Sequence, residues 1–225
     1  MSPLNTIIPI GIMPQFPLGE PTNIIIEKPT SREMKPGDIL IARYKSSRWA
    51  RYLPWENWHH AALISKVDPF TIIEAAGHNG ADQPEGPTEV LFDEAVGFDL
   101  SKSDLLEIKW LRPVFPDPLR EIDKKAVKWR DRKIITQDEA RRRIVSYARS
   151  QTNRKEPYTL SASKWSENKW YCSLLPYKSY SMTVTGMYLE DYTGVRGGWF
   201  VTPEDILDSP RTEEYFTWKK GIYHA

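Results

Sequence analysis

Nucleophilic chemistry in this chain would depend on one cysteine and four histidines. The thiol is Cys172, and the imidazoles belong to His59, His60, His78 and His224. A thiol becomes a nucleophile when a helix N-terminus or a neighbouring imidazole lowers its pKa. An imidazole that acts as a base also needs an acceptor that holds its second nitrogen. The sequence therefore contains a candidate nucleophile and several candidate bases.

The candidate triad consists of Cys172 as nucleophile, His60 as base and Glu74 as the residue that orients the imidazole. His59 is a reserve base, because a strand shifted by one residue would exchange the faces of the two histidines. Structural roles compete with each assignment. Cys172 would otherwise be a small buried apolar residue, His60 a polar residue at a strand edge and Glu74 the partner of a surface cation.

A metal centre is not expected from this sequence, and neither is a cofactor. Adjacent residues of a strand point to opposite faces, so His59 and His60 suit a single metal ion poorly. The aromatic cluster of Trp49, Tyr52, Trp55 and Trp58 has two interpretations. It would line a substrate groove, or it would form an ordinary packing or partner surface.

Short apolar runs predict the strands that position these residues. We expect strands within residues 35–43, 60–67, 71–76 and 106–112. Asp68-Pro69 is a turn signal, so the second and third strands are predicted to pair as a hairpin. His60 and Glu74 would then lie on neighbouring strands.

Three helix starts are also predicted. Thr136 with Glu139 three residues later has the pattern of a capping box. The apolar face of this helix would be formed by Ala140, Ile144, Tyr147 and Ala148. A second helix is expected to begin around Cys172 and run to Tyr180, with Pro176 near its start. Thr202-Pro203 predicts the third.

Composition indicates one globular domain with a peripheral arm. The chain has 225 residues, with 31 Lys plus Arg against 30 Asp plus Glu. This balance gives no field that would favour nucleic acid or an anionic membrane as a partner. Six prolines between residues 2 and 30 favour extended backbone, so we predict an arm over 1–34 and a catalytic domain over 35–225.

Location is predicted from what the chain lacks. No stretch approaches the roughly 20 apolar residues needed to span a bilayer, and the start does not have the pattern of a signal peptide. A single cysteine forms no internal disulfide. The expected location is the cytoplasm, with export by a signal-independent route or prior removal of a signal left open.

Six motifs in a fixed order resemble the YiiX-like, permuted branch of the NlpC/P60 superfamily. In this papain-like group histidine precedes cysteine in the chain. The motifs are Gly37-Asp38-Ile39-Leu40, His60-Ala61-Ala62-Leu63-Ile64, Ile73-Glu74-Ala75, Pro157-Tyr158, Tyr171-Cys172-Ser173 and Thr202-Pro203-Glu204-Asp205-Ile206 before Ser209. The resemblance implies an α+β, circularly permuted papain-like fold. A small antiparallel sheet or partial barrel would pack against the nucleophile helix.

The resemblance also implies an activity. Cys172 at the start of a buried helix would attack a carbonyl, with His60 moving the proton and Glu74 orienting the ring. The Cys172 N–H would hold the oxyanion, with Tyr44 or Tyr171 as candidate second donors and Trp58 as a candidate substrate contact. The implied reaction is acyl transfer through a thioester by an amidase or peptidase.

Two other functions stay open at this point. The substrate would be a lipid or acyl group, or the domain would be a binding module that lost catalysis. One departure from the family concerns the run after the cysteine. Where the family often has Ser-Glu-Leu-Val, this chain has Ser173-Leu174-Leu175-Pro176, which predicts a shorter or bent helix.

Overall fold

A six-stranded antiparallel sheet forms the centre of the protein. The computed structural model describes residues 33–45, 57–77, 86–123, 125, 128–190 and 198–220. The strands are β1 (Ile39–Tyr44), β2 (His60–Lys66), β3 (Thr71–Ala76), β4 (Gly86–Leu91), β5 (Leu105–Pro113) and β6 (Thr212–Lys219). They lie in the order β4-β3-β2-β1-β5-β6. The sheet is open, with β4 and β6 at its edges, and is not the partial barrel that the resemblance allowed.

The strand pairing brings the predicted site residues to adjacent strands. The hairpin of β2 and β3 forms as predicted and places Ala62 opposite Glu74. On its other side β2 pairs with β1, where His60 lies opposite Ala42. Since side chains two apart share a face, His60 and Glu74 point to the same side of the sheet.

Three α-helices and three short 3₁₀ segments complete the described structure. The helices are α1 (Gln137–Thr152), α2 (Leu174–Ser181) and α3 (Pro203–Leu207). The 3₁₀ segments are Phe92–Glu94, Val96–Phe98 and Trp129–Asp131. No helix within these ranges is long and apolar enough to cross a bilayer.

The helix starts follow their predicted caps with one difference. Thr202 and Asp205 exchange both bonds of a capping box. Thr136 accepts from the Glu139 N–H at 3.2 Å, but the Glu139 carboxylate binds Arg142 and Arg143. The reciprocal bond of the first predicted box is therefore replaced by ion pairs along the helix.

Helix α2 begins at Leu174 rather than around Cys172. Cys172 lies in the turn that precedes it. Pro176 is the third helical residue, a position whose N–H has no partner within a helix, so the ring is tolerated. The helix has eight residues, in line with the short helix that the Leu-Leu-Pro run predicts.

Both faces of the sheet are covered, which explains why the central strands are continuous apolar runs. Ile39, Ala61 and Leu63 belong to the face beneath α1 and α2. Ala62 and Ile72 belong to the opposite face, with buried residues of the 92–98 region and Trp110. His60 and Glu74 lie on this second face, at the end of the sheet where β2 begins.

A buried ion pair attaches α1 to the sheet. Arg141 Nη1 lies 2.7 Å from Asp38 Oδ1. The other oxygen of Asp38 accepts from the Lys35 N–H at 2.9 Å and from the Tyr215 hydroxyl at 3.0 Å. Both members of the pair are buried, so the Asp38 charge depends on these donors for its stability.

Several predictions concern residues outside the described ranges. They are the arm except for its last two residues, the aromatic residues Trp49, Tyr52 and Trp55, and the histidines His78 and His224.

Candidate active site

The His60 imidazole is hydrogen-bonded to the Glu74 carboxylate. Nε2 of His60 lies 2.7 Å from Oε2 of Glu74. Glu74 is fully buried, and its oxygens also accept from two backbone N–H groups. The Val96 N–H reaches Oε1 at 2.8 Å and the Gly97 N–H reaches Oε2 at 3.2 Å. This carboxylate therefore has three donors and is suited to fix the orientation of the ring.

The third member of the cluster is Cys172, in the turn before α2. It is fully buried, its Sγ lies 3.8 Å from the backbone oxygen of His59, and it lies close enough to His60 to raise the pKa of that ring. Because Nε2 of His60 is bound to Glu74, Nδ1 is the ring nitrogen left for the sulfur. The structure thus brings together the three residues of the candidate triad, in the order sulfur, imidazole, carboxylate.

Charges within the cluster favour a protonated imidazole. Burial alone would lower the pKa of His60, but hydrogen bonds and charge interactions with Cys172 and Glu74 outweigh it and raise the pKa to about 10. Burial would likewise raise the pKa of Glu74, but the bonds from His60, Val96 and Gly97 hold it below its ordinary value. Both shifts favour an imidazolium beside a carboxylate.

The neighbouring His59 has a different role. Its Nδ1 accepts a hydrogen bond from the Tyr44 N–H at 3.1 Å. Burial first, and then the nearby Arg43 guanidinium, lower its pKa. A neutral ring that caps the end of a strand fits these contacts. Of the two adjacent histidines, the structure brings His60 and not His59 to the carboxylate.

The three candidate oxyanion or substrate contacts have other partners. The Tyr44 hydroxyl donates to the Gly97 backbone oxygen at 2.5 Å. The Tyr171 hydroxyl accepts from the Val201 N–H at 3.1 Å. Trp58 is buried, and its ring lies 5.2 Å from Lys109 Nζ. Tyr44 therefore acts on the turn that holds Glu74 rather than on the sulfur.

The turn Val96–Phe98 is the part of the site that sequence reasoning missed. It supplies two N–H donors to Glu74, and Gly97 lies directly against the His60 ring. A Cβ at Gly97 would be 1.9 Å from His60 Cδ2. The sequence offers a glycine between apolar residues just after a strand, but nothing in that pattern indicates that its amides face a carboxylate.

Two exposed tryptophan rings pair with each other in the part of the chain that leads to Phe200. Trp165 and Trp199 are 60% and 68% exposed, and their rings meet edge to face at 5.5 Å. The next ring, Phe200, contacts Tyr171 with a centroid distance of 6.2 Å. Trp199 therefore precedes a segment, Phe200 and Val201, that contacts Tyr171, the residue before Cys172.

A metal ion does not fit the described donors. Within the ranges given above, no group of three or more His, Cys, Asp or Glu side chains is arranged to hold one. Both oxygens of Glu74 already accept hydrogen bonds, and Nε2 of His60 is occupied by that carboxylate.

The described residues define an α+β protein with an open antiparallel sheet and a Cys-His-Glu cluster at one end of it. No protein-family model matches the chain, and no curated protein matches it. Among solved structures it is similar to the one titled metalloprotein yiiX from Escherichia coli O157:H7, DUF1105. The TM-score is 0.54 at 14% identity, over 82% of this chain and 98% of that one.

The chain therefore has a YiiX-like fold. The resemblance predicted from the six ordered motifs is confirmed at the level of the fold.

Proposed function

We propose that the protein is a cysteine hydrolase that acts on amide or peptide bonds through a thioester intermediate. The observation that carries this proposal is the His60 imidazole bound to the fully buried Glu74, with the buried Cys172 close enough to raise the pKa of the ring. The proposed catalytic domain spans residues 35–225 and follows an arm over 1–34. The YiiX-like fold supports the proposal, since the motifs that predicted it include all three residues.

The first half of the proposed reaction forms the thioester. The Cys172 thiolate attacks the substrate carbonyl, so that a carbon–sulfur bond forms and the carbonyl electron pair moves to oxygen. When the tetrahedral intermediate collapses, the carbon–nitrogen bond breaks and the His60 imidazolium gives its proton to the leaving amine. Glu74 keeps the ring in place during this transfer.

Hydrolysis of the thioester is the second half. Neutral His60 takes a proton from water as the hydroxide equivalent attacks the thioester carbonyl. The carbon–sulfur bond then breaks, the acid is released, and the thiolate and imidazolium are restored. We assign the backbone N–H of Cys172 to the oxyanion in both halves, and removing such a donor typically costs about 3 kcal/mol of transition-state stabilisation.

No step of this mechanism uses a metal ion. The similar solved structure is titled a metalloprotein, but the donors described for this chain do not fit a metal site. The chemistry is therefore assigned to the side chains of the cluster alone.

A lipid or acyl substrate is the second candidate, and the exposed aromatic pair favours it. Trp165 and Trp199 present exposed apolar rings, against which an acyl chain would bury surface. Trp199 is followed by Phe200, which contacts Tyr171, the residue before Cys172. An acyl group carried as a thioester would then pass to water or to another acceptor.

Alkylation by iodoacetamide tests the proposal, because Cys172 is the single cysteine of the chain. An ordinary thiol is about 3% ionised at pH 7, so a thiol that loses this activation reacts up to about 30-fold more slowly. We expect that slowing in His60→Ala and none in the matched control His59→Ala. Equal labelling rates in all three proteins would refute the activated pair.

Turnover of two substrate series then separates the two candidates. Acylated amino-acid p-nitroanilides represent the amide substrate, and p-nitrophenyl esters of increasing chain length represent the acyl substrate. A rate that rises with chain length and falls in Trp199→Ala would favour the acyl candidate. Anilide turnover that is lost in Cys172→Ala and unchanged in Trp199→Ala would favour the amidase.

A further inference from the structure

In the 3₁₀ turn Val96–Phe98, backbone N–H groups and backbone oxygens both form hydrogen bonds with side chains in or near the candidate site. On the amide side, the N–H groups of Val96 and Gly97 donate to the two oxygens of Glu74. These bonds connect the turn to a residue 22 positions earlier in the chain. The turn thus supplies hydrogen-bond donors to a carboxylate that is buried away from water.

Two side chains hold the carbonyl side of the same turn. Lys102 Nζ donates to the Val96 oxygen at 2.8 Å, and the Tyr44 hydroxyl donates to the Gly97 oxygen at 2.5 Å. The Val96 carbonyl and the Gly97 N–H belong to one peptide plane. A cation at its oxygen and a carboxylate at its hydrogen polarise that plane in the same direction, which strengthens both bonds.

Gly97 leaves the space in which the His60 ring lies. A Cβ added there would come within 1.9 Å of Cδ2 and 2.1 Å of Nε2 of that ring. The Phe98 ring contacts the imidazole as well, at 5.3 Å centroid to centroid. Its Nε2 is also bound to Glu74. A side chain at position 97 must therefore displace either the imidazole or the turn.

We propose that the turn Val96–Phe98, with Gly97 as its positioning residue, sets the position of Glu74 and His60 and so the proton-transfer geometry of the site. The statement about proton transfer rests on the proposed function. The structural content of the inference is independent of that function, since it concerns where His60 and Glu74 lie.

Charged and titratable groups from several parts of the fold surround His60 and Glu74. The Cys172 sulfur and the Glu74 carboxylate act on the imidazole. His60 and the two turn amides act on the carboxylate, and the carboxylate in turn acts on Tyr44. Lys102 acts on the turn itself.

The test measures the titration of His60 by NMR of the imidazole in the full-length protein. His60→Gln identifies its signals among those of the four histidines. We expect Gly97→Ala to lower the pKa of His60 by at least about one unit, a tenfold change in its protonation equilibrium. The matched control is Gly198→Ala, because a Cβ at Gly198 meets nothing within 4 Å.

A second variant covers the case in which Gly97→Ala does not fold. Tyr44→Phe keeps the ring and removes only the hydroxyl that holds the Gly97 oxygen. We expect a pKa of His60 shifted in the same direction as in Gly97→Ala, by a smaller amount. A pKa of His60 that is the same in the wild type, Tyr44→Phe and any folded Gly97→Ala protein would overturn the inference.

Iodoacetamide labelling of the same proteins separates this inference from the proposed function. If His60 titrates as expected in every variant while Cys172 labels slowly in all of them, the positioning role stands and the hydrolase does not. If the wild-type thiol is activated and neither its labelling nor the His60 titration changes in Gly97→Ala, the hydrolase stands and the positioning role is refuted.

Discussion

Replacing Glu74 by Gln is the perturbation that tests the candidate triad most directly. The side chain keeps its shape but has one acceptor oxygen where the carboxylate has two. Three donors point at it, from His60, Val96 and Gly97. Whichever way the amide is turned, one pair of donors must face each other in a buried place.

The two amide orientations have different consequences. With its NH₂ toward His60, the Gln donates to Nε2, and the neutral imidazole carries its proton on Nδ1, which faces Cys172. The ring then has no lone pair for the thiol proton. With its NH₂ toward Val96, the Gln leaves a buried N–H unpaired, which costs about 1–3 kcal/mol of stability.

The size of the effect follows from the His60 titration. A pKa displaced from 6.5 to about 10 corresponds to roughly 5 kcal/mol at 1.36 kcal/mol per unit. Burial opposes this shift, so Cys172 and Glu74 together supply at least that much. If they contribute equally, loss of the carboxylate removes at least about 2.5 kcal/mol, or roughly 70-fold in the equilibrium between the thiolate–imidazolium pair and the neutral thiol–imidazole pair. We expect turnover at pH 7 to fall by about that factor, and thiol labelling to fall by up to about 30-fold, the limit set by an ordinary thiol at that pH.

The assay is the iodoacetamide rate at pH 7, with urea unfolding to show that the variant is folded. Glu89→Gln is the control, because Glu89 also pairs with a cation but lies on β4 beside Arg149 at 2.7 Å, away from the cluster. A Glu74→Gln protein that is folded and labels within about threefold of the wild type would refute the role given to Glu74.

Two further predictions concern stability. The native state keeps the His60 proton up to about pH 10, whereas the unfolded chain loses it near 6.5. The stability that wild type has over His60→Gln should thus be full below pH 6.5 and fall by about 2–5 kcal/mol as pH rises through 10, as measured by urea unfolding; a constant difference would contradict this. Arg141→Met should cost about 3–5 kcal/mol by leaving Asp38 buried without its cation, while the 70%-exposed Arg142 changed to Met should cost under about 0.5 kcal/mol. Equal losses in the two arginine variants would show that the buried pair has no special weight.

Local patterns predicted most of the elements around the site. The apolar runs that became β1, β2, β3 and β5 were readable because strands buried on both faces leave uninterrupted apolar sequence. The caps at Thr136 and Thr202 were readable because a cap and its partner lie three residues apart. These signals involve only neighbours in the chain, and the structure confirms each of these strands and helices.

The two edge strands, β4 and β6, were not predicted from the sequence. β4 begins with Gly86-Pro87, and β6 carries Glu213 and Glu214 among its first residues. Each of these features lowers the intrinsic preference for a strand. Edge strands tolerate such residues because one side of the backbone has no partner. Their pairing with β3 and β5 is supplied by the neighbouring strands, which the local sequence does not encode.

The sequence by itself determined the types of residue that the site contains and the order in which they occur. One cysteine limited the nucleophile to Cys172, and the hairpin signal at Asp68-Pro69 placed His60 and Glu74 on adjacent strands. Only the tertiary structure decided which nitrogen faces the sulfur and which backbone supports the carboxylate. The turn at Gly97 reaches Glu74 and Tyr44 from 23 and 53 positions away, and contacts at such separations arise from packing, which no local pattern records.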